Sequence, residues 1–386
     1  MNRSHPALII VTNGSLPASG GRYYLPQWEA NFYQDVARSA RLAIWSDTSH
    51  LPSRNLVIEM PLGGNLAVVP LSSPGDNSLS RLASRTTQIL RQFQKSEVRR
   101  SMFYLYYPGR NSAFVASILR ILRVPYVLYI RGEYGSKGLK AYIHSRTIRG
   151  AAGCIVTGGY LEQRVQLLNR NVQQVVPMMN VTSADLPRYN TAEATGTFKI
   201  LFVGQLLASK GLYVYIDVLR TLRLRGWDIK GTIIGNGTPD AISDLERQID
   251  RTGLGSFVEL VPGASPTEVR AELLASHVFL FPTEYAEGFP RVLYEAMTLG
   301  APVVTTDRGE LFGWMLRDGQ NALLRPAGNV QEFADAVELL MQDVTLRRNL
   351  AAKAKDTMAA FFKSLPASSH ADQVVQILSS RRETLS

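Results

Sequence analysis

Short apolar runs, rich in β-branched and aromatic residues, recur along the chain. In the first half they are ALIIVT, RLAIWS, NLAVVPL, SMFYLYY, PYVLYI and GCIVT. Between several of them apolar residues return every three or four positions, as from Ala113 to Leu122. Strand-type runs alternating with helix-type stretches predict an α/β chain with parallel sheets. At NTAEATGTFK the sequence turns small and polar, which reads as a linker. The alternation then restarts with KILFVGQ, IKGTIIG, FVELVPG, VFLFP, APVVTT and NALLRPA. Two Rossmann-like domains are therefore expected, at 1–190 and 198–360, joined by a linker at 191–197. Residues 361–386 read as a polar helix that packs back on the first domain. Ligands of open α/β sheets sit at the carboxyl ends of the strands. Two such domains facing each other would enclose a central cleft.

Bulk properties narrow the class. At 386 residues the chain is long enough for two cores. The one cysteine, Cys154, excludes an internal disulfide and fits a reducing compartment. No apolar run approaches the roughly 18 residues of a membrane span. ALIIVT is too short and strand-like for a signal peptide, although Ala18-Ser19-Gly20 loosely imitates a cleavage site. A cytoplasmic protein is expected. The net charge of +10 is uneven. Residues 1–190 hold 22 Lys/Arg and 9 Asp/Glu, a balance of +13, while the rest hold 20 and 23, a balance of −3. The basic half reads either as a surface for an anionic partner or as a plain solvated surface.

Candidate chemistry lies in TEYAEGFPRVLYEAMTLGAPVVTT, residues 283–306. Phe279 to Pro282 ends a strand. Gly288 allows close backbone approach to a ligand, and Pro290 suits the first turn of a helix. Val292, Leu293, Ala296 and Met297 fall at helical spacing and should face the core, with Gly300 as the C-cap. Free N–H groups at the start of this helix make an anion site that suits a diphosphate. Glu287 in the loop and Glu295 within the helix could then grip two polyols flanking that diphosphate, as in a sugar nucleotide. An ordinary surface helix with an acidic first turn is the competing reading.

With these residues the sequence resembles the retaining GT-B glycosyltransferases of family 4. EYAEGFPRVLYEAMTLGAPVVTTDRGE is similar to that family's E-x7-E region, FKILFVGQLLASKG to its first donor-domain strand and loop, TIIGNGTPD to its glycine turn, and LRDGQNALLRPAGNVQEFADAVELLM to its closing region. The match is good from Phe198 to Asp343; the first half is similar in layout alone. The resemblance implies metal-independent, retaining hexosyl transfer from a UDP- or GDP-sugar, a substrate rather than a cofactor. The implied acceptor is a saccharide or lipid-linked saccharide, in polysaccharide or glycoconjugate biosynthesis. Glu287 would contact the transferred sugar and Glu295 the ribose. Gly288, Phe289, Pro290, Val292 and the Gly235 turn would line the donor site, and Lys210 would neutralise the leaving phosphate. Gln205 stands where the family has an arginine, and Arg291 is a candidate replacement. Arg131 occupies about the place of a family histidine; it could meet a phosphate or acidic sugar, or pair with Glu133. None of the five histidines fits that place.

On the acceptor side, Gly20-Gly21 resembles the family's Gly-Gly loop. Tyr23, Tyr24, Trp28 and Tyr33 either stack on an acceptor sugar or fill the core. The chain has no Asp-x-Asp, His-Glu-x-x-His or Cys/His cluster, so no metal site is expected. The rival classes are a GT-B sugar-nucleotide epimerase or phosphorylase, a nicotinamide oxidoreductase, and a non-catalytic basic binding protein. NGSLPASGG lacks the G-x-G-x-x-G spacing, and no nucleic-acid reading motif occurs, so nucleic acid is not an expected partner. SLSRLASRTTQILRQFQKSEVRR reads as a basic amphipathic helix. It could lie at the inner face of the plasma membrane through Arg81, Arg85 and Arg91, or pack its apolar face on the first sheet.

Overall fold

The structure, a computed structural model, describes residues 7–25, 27–49, 58–60, 64–72, 78–131, 138–157, 159–175, 179–188, 196–284, 290–307, 315–365 and 369–385. The chain divides into two units. Residues 1–178 and 365–386 form the first, and residues 179–364 the second.

The first unit is built on β1 (Ala7–Ser19), β2 (Arg22–Leu25), α1 (Gln27–Ser39), β3 (Arg41–Ser49), β4 (Ile58–Glu59), β5 (Leu66–Ser72), α2 (Ser78–Phe93) and α3 (Ser96–Arg99). It continues through β6 (Met102–Tyr107), α4 (Arg110–Ile121), β7 (Tyr126–Ile130), α5 (Gly138–Arg149), β8 (Gly153–Val156), α6 (Gly159–Gln166) and β9 (Val172–Gln174). Parallel pairing runs β5-β3-β1-β6-β7-β8-β9. Every residue of β7 and β8 is buried, as expected for strands covered on both faces.

The pattern of apolar residues missed β2, β4 and β9, which are short. It also ended β1 too early. The strand continues past Val11 through a register shift and turns back at Gly20-Gly21 into β2, with Ala18 opposite Tyr23. Both glycines have positive φ, 57° and 77°, as a tight two-residue hairpin turn requires. The Gly20-Gly21 loop is thus a hairpin turn.

Helix α2 turns Ile89 and Phe93 inward, while Leu90 is 52% exposed. Ile89 and Phe93 join Trp45, Leu71 and Phe103 in one core cluster. Arg85, read above as a basic flank, is held by Asp47 of β3 at 2.6 Å and is largely buried. The side chains of Arg81 and Leu82 lie outside the described residues, and Arg91 is exposed. This is the core reading of the amphipathic pattern, not the membrane one.

The second unit contains β10 (Phe198–Val203), α7 (Leu212–Leu224), β11 (Ile229–Gly235), α8 (Pro239–Arg251), β12 (Val258–Pro262), α9 (Pro266–Ala275), β13 (Val278–Phe281), α10 (Arg291–Leu299), β14 (Val303–Thr306), β15 (Leu323–Arg325), α11 (Val330–Gln342) and α12 (Val344–Ser364). Its sheet order is β12-β11-β10-β13-β14-β15, parallel throughout. Helix starts carry local signals. Ser265 caps α9 in a capping box with Glu268, and Pro266 follows. Asn329 caps α11.

The unit boundaries differ from the expected 190 and 360. Residues 179–188 belong with the second unit because Asn180 bonds Glu295, Asp185 pairs with Arg270, and Lys355 donates to the Arg188 carbonyl. Of the expected linker, 191–195 lies outside the described residues. Phe361 packs on Tyr294 in the second unit, so α12 ends at Ser364. The last helix, α13 (His370–Leu385), packs on α1 in the first unit. His370 is buried there, its Nε2 2.7 Å from the Tyr104 hydroxyl. Burial holds its imidazole far below the usual range, at about 3, with Arg131 adding to the effect.

Candidate active site

In the second unit the order reverses between β10 and β13, which leave the sheet centre in opposite directions. Doubly wound sheets bind ligands at this switch point. The loop after β10 carries Gln205, exposed, and Lys210, half-buried in a short 3-10 turn. It lies directly on the end of β13. The Glu284 N–H donates to the Ser209 carbonyl at 3.0 Å. Gly211, with φ 79°, approaches so closely that a Cβ there would overlap the Pro282 carbonyl. Lys210 is thereby held beside the strand end that leads into the E-x7-E loop.

Gly235 closes β11 against the same loop. A Cβ on it would overlap the Gly204 carbonyl, while Leu206 N–H donates to the Asn236 carbonyl at 2.8 Å. The glycine turn therefore shapes the loop that presents Lys210. Glu287, Gly288 and Phe289 lie outside the described residues.

Beyond them, Pro290 is the N-cap of α10, and Arg291 its exposed first residue. Pro290 itself gives this helix no side-chain cap. Leu293, Ala296 and Met297 are buried as the spacing predicts, and Val292 is half-buried. Gly300 ends the helix at φ 77°.

Glu295 is 6% exposed. Its Oε1 accepts from the Asn180 backbone N–H at 3.2 Å and from Asn180 Nδ2 at 3.1 Å. Among the described residues, no donor is bonded to Oε2. Burial raises the carboxyl above the usual range, opposed by the Asn180 bonds and by Arg291 and Arg270. Arg270 itself bridges Asp185 and the Asn180 carbonyl, the latter at 2.7 Å. Asn180 was missed at the sequence level. It lies 115 positions from Glu295, and no spacing rule connects them.

The other candidates belong to the first unit. Arg131 follows β7 and spreads its guanidinium over Tyr106, 4.7 Å from the ring centre, and over Tyr129, 5.6 Å away. Its alternative partner Glu133 lies outside the described residues. Gly20 and Gly21 form the hairpin turn, and Tyr23 and Tyr24 are half-buried on β2. Trp28 is in α1, but its side chain lies outside the described residues. Tyr33 is fully buried and donates to Glu29 at 2.9 Å, so it is core rather than an acceptor platform.

Residues 187–357 match the family described as glycosyl transferases group 1. Over 161 residues the chain is 32% identical to the alpha-D-kanosaminyltransferase of Streptomyces kanamyceticus, covering 42% of this chain and 41% of that one. The match thus spans less than half of the relative's length. Among solved structures, the sucrose-phosphate synthase of Thermosynechococcus elongatus aligns with a TM-score of 0.67 and 14% identity, over 98% of this chain and 99% of its own. Anabaena HepE in complex with UDP and glucose aligns at 0.65 and 14%, over 98% and 100%. At these identities the structural likeness speaks for the fold alone.

Proposed function

We propose that this chain, which has the GT-B fold and whose residues 187–357 match the glycosyl transferases group 1, moves a hexosyl group from a UDP- or GDP-sugar to a saccharide or lipid-linked saccharide, with retention of configuration. The observation that carries the proposal is the convergence, at one switch point, of the Lys210 loop and the strand end leading to Glu287 and Glu295. A relative of the same fold holds UDP and glucose. Polysaccharide or glycoconjugate assembly is the setting this reading favours.

In the reaction the bond from the anomeric carbon to the diphosphate breaks, and a bond to the acceptor oxygen forms on the same face. The acceptor proton passes to the leaving phosphate. Negative charge grows on that diphosphate while the sugar becomes oxocarbenium-like. Lys210 and the first amides of α10 meet this charge, without a metal as the charge sink. Glu287 supports the sugar in the transition state. Glu295 takes the ribose hydroxyls, with Asn180 orienting its carboxylate. Gln205, Gly235, Gly288, Phe289, Pro290, Arg291 and Val292 line the donor. Arg131 is grouped with Lys210 and Glu287 as a catalytic residue, and Gly20, Gly21, Tyr23, Tyr24 and Trp28 belong to the acceptor side.

A thermal-shift panel of UDP-, GDP-, ADP- and dTDP-sugars tests the donor, because ligand binding to the native state raises the melting temperature. One uridine or guanosine donor should stand out. In Glu287→Ala, turnover should fall about 100-fold or more while the nucleotide shift survives. In Glu295→Ala, the nucleotide shift itself should shrink. Unchanged turnover in the first variant, or an unchanged shift in the second, would remove these roles. Free nucleotide formed only when acceptor is present would exclude the epimerase reading.

A further inference from the structure

Five of the exposed large apolar side chains cluster at α5 and the end of α4. On α5, Leu139 is 74% exposed, Tyr142 58% and Ile143 41%. Positions 139, 142, 143 and 146 share one helical face. At the end of α4, Ile121 is 80% and Leu122 43% exposed. The end of α4 adjoins the last turn of α5, because the Arg120 side chain lies against Gly150, just past α5.

The opposite face of α5 is tied down. His144 bonds the Tyr107 hydroxyl, Ile148 is in the core, and Tyr126 donates to the Thr147 carbonyl at 2.7 Å. The helix is therefore anchored with its apolar stripe outward. The sequence around that stripe is strongly basic. Residues 98–161 contain ten Lys/Arg and a single acid, Glu133. Lys140 and Arg149, both exposed, flank the stripe, and Arg146 lies in it, donating to the Tyr142 hydroxyl at 3.2 Å. Neither α4 nor α5 carries an acid.

An apolar stripe with cationic rims suits the boundary between lipid headgroups and acyl chains. We propose that α5, with the neighbouring end of α4, docks the first unit on an anionic bilayer. Leu139, Tyr142 and Ile143 enter the headgroup boundary while Lys140, Arg146 and Arg149 meet lipid phosphates. This moves the membrane surface from α2, whose Ile89 and Phe93 are in the core and whose Arg85 is held by Asp47. A soluble polyanion would engage the cations but has no use for the leucine and isoleucine. The inference rests on the lipid-linked acceptor reading for its purpose, though its test needs no turnover.

Co-sedimentation with phosphatidylglycerol/phosphatidylcholine vesicles at low salt reads the docking. The unmodified chain should bind, and Lys140→Glu with Arg146→Glu should weaken binding at least 25-fold, at roughly five-fold for each cation removed. Leu139→Ser with Ile143→Ser should weaken it about ten-fold, whereas Leu167→Ser with Leu224→Ser, also highly exposed, should not. Tyr142→Trp should show a blue-shifted emission on adding vesicles. All variants should keep the donor-induced thermal shift, which separates this test from that of the donor site. Three results would overturn the proposal: no vesicle binding by the unmodified chain, equal binding by the Leu139/Ile143 variant, or self-association in sedimentation that the same variant abolishes. The last would make α5 an interface between copies.

Discussion

In the second unit the mouth of the sheet is lined by backbone, and in the first it is filled by side chains. Gly204, Gly211 and Gly235 bring main chain against main chain around the Lys210 loop. At the matching position of the first unit, between β1 and β6, Asn13 donates to the Pro108 carbonyl at 2.9 Å and accepts from Ser112 at 2.5 Å. Arg131 lies over two tyrosines nearby. A backbone mouth recognises what every donor of one class shares, a diphosphate and two polyols. A side-chain mouth can be retuned by single substitutions. That contrast fits a common donor on one unit and a particular acceptor on the other.

The contrast can be broken most sharply at Lys210. Lys210→Ala should lower kcat about 100-fold or more and leave the acceptor KM unchanged. If Arg291 replaces the cation missing at Gln205, Arg291→Ala should cost more than Arg247→Ala, whose side chain is exposed and paired with Asp244. Parity between the two would end that idea. A Lys210 variant that changed acceptor KM instead would put the leaving-group role in the wrong unit.

Glycine substitutions sharpen the contrast in stability. Gly211→Ala forces a Cβ onto the Pro282 carbonyl at a positive φ, and should cost about 2–4 kcal/mol. Gly20→Ala meets only open space at its positive φ and should cost about 1 kcal/mol. Urea denaturation compares them. Equal costs would mean that backbone approach in the second unit is not what its glycines serve.

The first unit also carries a pH dependence of its own. The folded value for His370 is below its ordinary 6.5, at about 3. Its neutral form is therefore the one that folding favours. That stability is complete above 6.5 and declines as pH falls toward 3, by at most about 1.4 kcal/mol per pH unit. His370→Phe should flatten this acid decline. The same slope in variant and parent would assign it to other groups.

Much of the second unit was legible. VFLF, VVTT and the Gly300 cap follow from local rules, since a fully buried parallel strand and a left-handed C-cap leave strong marks. The first unit was less so. The stretch NGSLPAS looks like loop, yet it extends β1, because pairing with β3 and β2 overrides weak local preference. Arg85 looked like a solvated flank for the same reason: its partner Asp47 is 38 positions away. At the candidate site, Glu295 could be named from motif and chemistry and Lys210 from the family resemblance. Asn180 could not, because only the folded chain brings it to the carboxylate.

The first unit is discontinuous, and this has a consequence for its assembly. Its opening 178 residues leave the ribosome long before α13 does, with the whole of the second unit between them. During that interval Tyr104 lacks the imidazole that later meets its hydroxyl, and α1 presents an uncovered side. The second unit can finish while the first still waits. A fragment cut at residue 178 would therefore capture an unfinished assembly stage rather than an independent module. Excising the first unit faithfully would require joining α13 back to it.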